Sequence, residues 1–290
     1  MNRFRAVAIR AIAGRELRST LFNMGIYVAI ALGLIVASFM IYTYVTGIME
    51  YGMAVMPSSK TETRYYSELP QSPEPMLVPL QWTVYIGAIY ITLSASLSIS
   101  RERDQGTLEV LFYGPVDSLS FVIAKFVEQL LSFGVVLLFY IAYFVVMSAI
   151  SKFALGVGFL KMIILSLFLA GCMASFGMFL SSMTRKVKTS VILFLVFVIT
   201  FLAVPMIHQF VMVQYTSTMK GAVSVARHVT STLNFLVSWI SPFAYLGRGT
   251  TAIILGSTSE LIKSLFFSLI YTVVFLTASI VIFNRKGVRR

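Results

Sequence analysis

The sequence predicts an all-α membrane protein with six transmembrane helices and both termini in the cytoplasm. Of its 290 residues, 58% are hydrophobic and only 12% are charged, whereas a soluble domain has about 45–50% apolar and about 25% charged residues. This composition excludes a soluble enzyme, a disordered chain and a disulfide scaffold. The single cysteine, Cys172, can form no internal disulfide.

Long charge-free stretches locate the transmembrane helices, because about 20 apolar residues cross the ~30 Å hydrocarbon core of a bilayer. Six stretches meet this requirement, and a seventh, residues 228–247, contains more polar residues. The predicted spans run over residues 22–45, 80–98, 122–150, 159–183, 191–213 and 264–283. Residues 21–290 therefore form one predicted six-helix transmembrane domain.

The distribution of basic residues predicts the orientation. With six spans, fifteen of the 23 Lys and Arg residues lie on the side of both termini, and a seventh span would move the basic cluster at residues 285–290 outside. Because Lys and Arg gather in cytoplasmic loops, six spans with cytoplasmic termini are favoured. This bias accounts for the net charge of +12 without a nucleic-acid partner.

Two segments outside the spans have helical patterns. Residues 1–20 carry five arginines among apolar residues, which predicts an elbow helix in the cytoplasmic interface, held partly by anionic lipid. The alternative is a loose basic flank that only orients the first span. Residues 233–240 and 252–255 are short apolar pieces separated by Pro242 and Gly249. They predict a re-entrant segment before the sixth span or, alternatively, two amphipathic helices on the outer surface.

The first outer loop, residues 46–79, holds five prolines and is predicted to be an extended connection. Before it, Met49, Met53 and Met56 recur at helical spacing. A thioether site for Cu(I) is one interpretation. A continuation of the first helix beyond the membrane is the favoured one.

No pattern for enzyme chemistry is found. The chain lacks a Gly-x-x-x-x-Gly-Lys-Ser/Thr phosphate loop, so we expect it to bind no ATP or other cofactor itself. His208 and His228 have no carboxylate cluster beside them, and no metal site is predicted. Glu128 is the one acid inside a predicted span, and Lys125, three residues earlier, predicts a surface-side ion pair. If Glu128 instead faced a pore, an ion-gradient-driven carrier would be favoured.

The segment between spans 2 and 3 predicts a short cytoplasmic helix. Thr107 can cap it, and Glu109 in its first turn suits the helix dipole. One face carries an apolar stripe: Leu108, Leu111 and Phe112. Gly114 and Pro115 end the helix. A plain turn between two spans needs no such stripe, so we interpret this helix as a docking surface.

At this segment the chain resembles the permease subunits of type-2 ABC exporters, also described as type V ABC transporters. Their first cytoplasmic loop carries Glu-x-x-x-Gly-Thr-Leu-Glu-x-Leu-Leu-x-x-Pro, followed by Lys at the start of the third span. Here the pattern is carried by Glu102, Gly106-Thr107-Leu108-Glu109, Leu111, Pro115 and Lys125. Phe112 replaces the second Leu, and one extra residue precedes the proline. Weaker similarities are Arg15-Glu16-Leu17 to the family's elbow helix and Ser241-Pro242-Phe243 with Gly249 to its re-entrant segment.

The resemblance implies a permease in the plasma or inner membrane that pairs with an identical or related subunit to form a translocation pathway. Separate ATPase subunits would bind ATP-Mg, and the 106–113 helix would couple them to the spans. The implied interface residues are Glu102, Asp104 and Glu109 for charged contacts, Leu108, Leu111 and Phe112 for apolar ones, and Gly106 and Thr107 at the helix start. The competing interpretations are an ion-gradient-driven secondary carrier or channel and a non-transporting membrane scaffold. The substrate is not predicted.

Overall fold

The computed structural model describes residues 2–54, 76–106, 117–153, 155–213 and 222–287. Within these ranges the regular elements are all helices, and no strand occurs. The helices are α1 (Asn2–Leu21), α2 (Met24–Ala54), α3 (Leu77–Asp104), α4 (Ser118–Ser151), α5 (Val157–Met183), α6 (Val187–Val213), α7 (Ala222–Ile240), α8 (Pro242–Ile254) and α9 (Thr258–Gly287).

Six of these helices are long and apolar enough to cross a bilayer. The apolar segments are Met24–Thr43, Leu77–Asp104, Ser118–Ser151, Val157–Met183, Val187–His208 and Thr258–Arg285. They overlap the six predicted spans, so the all-helical fold and the count of six candidate spans are confirmed. Helix α7, which covers most of the seventh stretch, is not among them.

The N-terminal segment forms a helix distinct from the first span. The backbone N–H of Gly25 donates to the Asn23 side-chain oxygen at 3.2 Å. Asn23 therefore satisfies one of the N–H groups that lack a helical partner at the start of α2. Helix α1 packs against α4. Helix α2 extends to Ala54, which agrees with the favoured interpretation of Met49 and Met53, whereas Met56 lies outside the described residues.

The centre of the bundle is the contact between α3 and α5. A Cβ atom on Gly177 would lie 2.6 Å from the backbone oxygen of Thr92, so only glycine permits this approach. One turn further along, the hydroxyl of Ser181 accepts hydrogen bonds from the backbone N–H groups of Ile99 at 3.0 Å and Ser100 at 2.9 Å. Small residues commonly allow such close helix packing in membranes.

Helix α8 runs antiparallel to the first half of α9. The chain reverses at Gly256, whose φ of +67° favours glycine. Further from this turn, the Ser264 hydroxyl donates to the Tyr245 carbonyl at 2.8 Å, and the Tyr271 hydroxyl donates to the Ile240 carbonyl at 2.8 Å. The corner between α7 and α8 therefore lies beside the middle of α9.

Candidate functional site

The predicted docking segment begins where α3 ends, at the end of the bundle that we call the Gly106 face. Asp104 and Gly106 are exposed there, whereas Glu102 is buried. The remaining predicted interface residues lie outside the described residues: Thr107, Leu108, Glu109, Leu111 and Phe112. Their helix and its role therefore stay predictions.

Gly106 ends α3 in a way that requires glycine. Its φ is +69°, in the left-handed region, and its backbone N–H donates to the Arg103 carbonyl at 3.3 Å. A left-handed residue after the last helical turn is a common helix ending, and glycine adopts it without a Cβ penalty. The conformation of Gly106 sets the direction in which the chain leaves α3 toward the docking segment.

Glu102 belongs to a buried ionic cluster centred on Lys125. The Lys125 Nζ atom lies 2.6 Å from Glu102 Oε1 and 3.0 Å from Glu16 Oε2, and the lysine side chain is only 4% exposed. This lysine on α4 thus joins the end of α3 to α1. The predicted surface-side pair of Lys125 with Glu128 is wrong, because the lysine is buried and its ion pairs are with Glu16 and Glu102.

Glu128 lies one helical turn deeper and has neutral partners. Its Oε1 accepts from the Thr20 hydroxyl at 2.7 Å and from the Ser132 hydroxyl at 3.2 Å, while its Oε2 accepts from the Gln129 amide at 2.6 Å. The residue is 2% exposed. Its carboxylate is thus occupied by α1 and its own helix, rather than facing an open pore.

Electrostatics at Glu16 favour the charged carboxylate. Burial by itself raises the pKa of Glu16, but the charge of Lys125 and the hydrogen bonds from Arg15 and Lys125 together outweigh it. The pKa of Glu16 therefore lies below its ordinary value. The Glu16–Lys125 bond is consequently an ion pair at neutral pH. We call Glu16, Thr20, Glu102, Lys125 and Glu128 the Lys125 cluster.

Sequence reasoning missed the cluster as a unit, although a local pattern pointed to it. Glu16 and Thr20 are four residues apart and so share one face of α1, as Lys125 and Glu128 do on α4 at a spacing of three. Each pattern was visible along the chain. Their meeting depends on the packing of α1 against α4, which no local pattern specifies.

Arg103, the neighbour of Glu102, holds the end of α3 to two other helices. Its Nη1 donates to the carbonyls of Thr184 at 2.7 Å and Ser182 at 3.3 Å, at the C-terminal end of α5. A cation at this end complements the helix dipole and uses carbonyls that lack helical partners. The guanidinium also lies 5.8 Å from the centre of the Phe283 ring on α9.

The described residues provide no metal centre. Among them, no group of three or more His, Cys, Asp or Glu side chains could hold a metal ion. Cys172 is buried and donates to the Ser268 carbonyl at 3.1 Å, which fits the expected packing role. His208 is partly buried on α6 and His228 is exposed on α7.

Residues 43–288 match a family model whose description is ABC-2 family transporter protein. The match includes Glu102, Lys125 and Glu128 of the Lys125 cluster, while Glu16 and Thr20 precede it. No curated protein matches the chain.

Proposed function

The chain belongs to the ABC-2 family of transporter proteins, and we propose that it is the permease subunit of an ATP-driven exporter. In this proposal the chain itself is not catalytic, and ATP-Mg binds to separate ATPase subunits at the Gly106 face. The permease resides in the plasma or inner membrane and pairs with an identical or related copy to form the translocation pathway.

The observation that carries the coupling proposal is the attachment of Glu102 to Lys125 at 2.6 Å. Glu102 is the first residue of the family pattern, and it lies two residues before Asp104, the first of the exposed residues that lead into the docking segment. Because Lys125 also binds Glu16 at 3.0 Å, a displacement of the segment would act on α3, α4 and α1 together. Each buried ion pair opposes such a displacement, because separating its two charges leaves them uncompensated.

In this proposal the predicted interface residues have different roles. We propose that Asp104 and Glu109 make charged contacts with the ATPase subunit, and that Leu108, Leu111 and Phe112 seat the apolar side of the docking helix. The resemblance implied a charged contact for Glu102 as well. Because Glu102 is buried, we propose that it instead transmits the movement of the docking segment to Lys125. Arg103 supports the same transmission toward α5, because it holds the Thr184 carbonyl.

We further propose that α7 and α8 form a re-entrant hairpin. The carbonyl of Ile240, at the corner between α7 and α8, accepts a hydrogen bond from Tyr271. Tyr271 lies thirteen residues after Thr258, or about 20 Å along α9. Helix α8, with 13 residues, is about 20 Å long and thus too short to span. Its N-terminal end is covered by protein, as membrane depth requires, since Ser241 is 2% and Phe243 6% exposed. In the middle of α8, the buried Gly249 packs against Leu165 of α5.

Sidedness is proposed from the basic residues: the Gly106 face and both termini are cytoplasmic, and α1 lies in that interface. We expect a small tag inserted at Thr61 to react with an impermeant reagent on intact cells, and a tag after Arg290 to react only after permeabilisation. Labelling of the Arg290 tag on intact cells would contradict this orientation. The labelling ratio of the two tags is the measurement.

The proposal is tested by purifying the tagged chain in mild detergent and identifying the proteins that accompany it. We expect a stoichiometric nucleotide-binding ATPase, and its loss in a variant that combines Asp104→Lys with Glu109→Lys. Glu260→Lys makes the same kind of charge reversal at an exposed site on the opposite face and serves as the control. A chain that purifies alone and moves solute under an ion gradient would overturn the exporter proposal. If the ATPase is retained but its activity moves no solute across the membrane of reconstituted vesicles, the interpretation as a non-transporting scaffold is favoured.

A further inference from the structure

The end of the bundle opposite the Gly106 face carries an exposed arginine set among aromatic rings. The Arg248 guanidinium on α8 lies 5.6 Å from the centre of the Trp239 ring and 5.9 Å from that of Tyr245. Its Nη2 donates to the Ser238 hydroxyl at 3.0 Å and lies 3.5 Å from the Ser238 carbonyl. We call Ser238, Trp239, Tyr245 and Arg248 the Arg248 patch.

Within the described part of the chain, this arginine has no counter-charge. No carboxylate in the described ranges forms an ion pair with Arg248, and the one acid between residues 214 and 263, Glu260, is bound by Lys263 at 2.7 Å. The same stretch carries four basic residues. One guanidinium nitrogen is held by Ser238, so the planar group is fixed while its remaining N–H groups can bind an oxyanion in a forked geometry.

The patch lies near the end of the apolar part of α9 that is closer to Lys263. The Trp239 ring is 5.9 Å from the ring of Phe267, which lies four residues, or about 6 Å, past Lys263, the last charged residue before the apolar part of α9. Tryptophan, tyrosine and arginine are favoured at this boundary, where apolar bodies meet polar headgroups.

The surroundings of the patch suit acyl chains. Phe235 of α7 is 61% exposed, and its ring lies 6.2 Å from that of Trp239. Phe266 and Phe267 on α9 are also exposed, at 60% and 38%. A second copy of the chain would bring the same excess of positive charge to this surface. A phospholipid instead offers a phosphate for the arginine and apolar chains for the rings.

We propose that the Arg248 patch is a binding site for an anionic phospholipid of the adjacent leaflet. The guanidinium of Arg248 binds the lipid phosphate, and the rings of Trp239 and Phe235 contact the glycerol region and the upper acyl chains. The site requires neither an ATPase partner nor transport, so it stands or falls separately from the exporter proposal.

Trp239 is itself the reporter for the test. The chain has two tryptophans, so Trp82→Phe leaves Trp239 as the only one. This full-length variant is reconstituted in phosphatidylcholine vesicles with increasing brominated phosphatidylglycerol, and quenching of Trp239 fluorescence gives the relative binding constant of the two lipids. One arginine near a membrane surface contributes about 1 kcal/mol, so we expect a preference of about fivefold for phosphatidylglycerol.

Charge-matched variants assign the preference to the patch. In the same background, Arg248→Gln should reduce the preference to about one, Arg248→Lys should retain part of it, and Lys263→Gln should leave it unchanged. Equal quenching by brominated phosphatidylglycerol and brominated phosphatidylcholine in the Trp82→Phe protein would overturn the proposal. This comparison does not depend on any Arg248 variant. An equal loss in Lys263→Gln would overturn it too, since the preference would then reflect general surface charge.

Two further outcomes identify a different occupant and would likewise overturn the lipid assignment. If soluble glycerol phosphate removes the preference, the site takes a free anion. If no brominated lipid quenches Trp239 and a cysteine introduced at Phe235 cross-links two chains, a second copy covers the patch.

Discussion

Replacing Lys125 with methionine is the sharpest test of the cluster beneath the docking segment. The change removes a cation that binds both Glu102 and Glu16, while methionine keeps most of the apolar stem. The lysine nitrogen lies 2.6 Å from Glu102 and 3.0 Å from Glu16. Without it, Glu102, which is 9% exposed, loses an ion pair in a poorly solvated position.

The expected cost follows from what each carboxylate retains. Removing one partner of a buried ion pair costs about 3–5 kcal/mol, because the other charge stays buried. Glu16 keeps a hydrogen bond from Arg15 at 2.8 Å, so the loss at this carboxylate is partly compensated. We therefore expect the lower end of the range, about 3 kcal/mol in the free energy of unfolding.

The assay is unfolding in mixed micelles with increasing dodecyl sulfate, followed by the loss of helical circular dichroism. Lys263→Met is the matched control, because Lys263 binds Glu260 at 2.7 Å but both side chains are 60% exposed. Such exposed pairs contribute about 0.2–1 kcal/mol. Adding Glu102→Gln to Lys125→Met should recover part of the loss, since the acid that lost the lysine is then replaced by a neutral amide. A loss in Lys125→Met no larger than in the control would refute the reasoning.

Two further predictions concern acid stability and helix packing. Glu16→Gln should unfold more readily than the parent at pH 7. Because the pKa of Glu16 is lowered from 4.5, its contribution is fully present above that value and is lost as the pH falls through the lowered pKa, so unfolding curves of the two proteins should converge in acid. Gly177→Ala should cost about 1–3 kcal/mol, because its Cβ would lie 2.6 Å from the Thr92 carbonyl oxygen. Gly134→Ala, with no atom within 4 Å of the added Cβ, should be neutral or stabilising in the same assay. A gap between the Glu16 curves that persists in acid, or equal losses at the two glycines, would contradict these assignments.

The parts of the fold that depend on local composition were predictable from the sequence. The six spans follow from runs of apolar residues, because burying about 20 such residues in hydrocarbon is favourable whatever their neighbours are. The continuation of α2 past its apolar segment, to Ala54, followed from methionines at helical spacing. The end of α3 was not predicted: the second span was expected to end at residue 98, whereas the helix runs to Asp104 and ends with the positive φ of Gly106.

The same local reasoning failed at Lys125. A spacing of three residues suggested a pair with Glu128, yet the lysine binds Glu16 and Glu102 on two other helices. Spacing along a helix states which side chains share a face, but it does not state which helix covers that face. Because α1 packs on α4, the Thr20 hydroxyl donates to Glu128. Lys125 pairs with the carboxylates of Glu16 on α1 and Glu102 on α3.

The sequence by itself determined the membrane class, the number of spans and the resemblance to ABC-2 permeases, because hydropathy and a contiguous pattern are read along the chain. The tertiary structure alone decided that Glu102 turns inward and that Thr20 meets Glu128 from 108 residues away. It likewise decided that Arg248 is set between Trp239 and Tyr245. Contacts between distant residues depend on how helices pack, and many packings satisfy the same pattern of apolar spans.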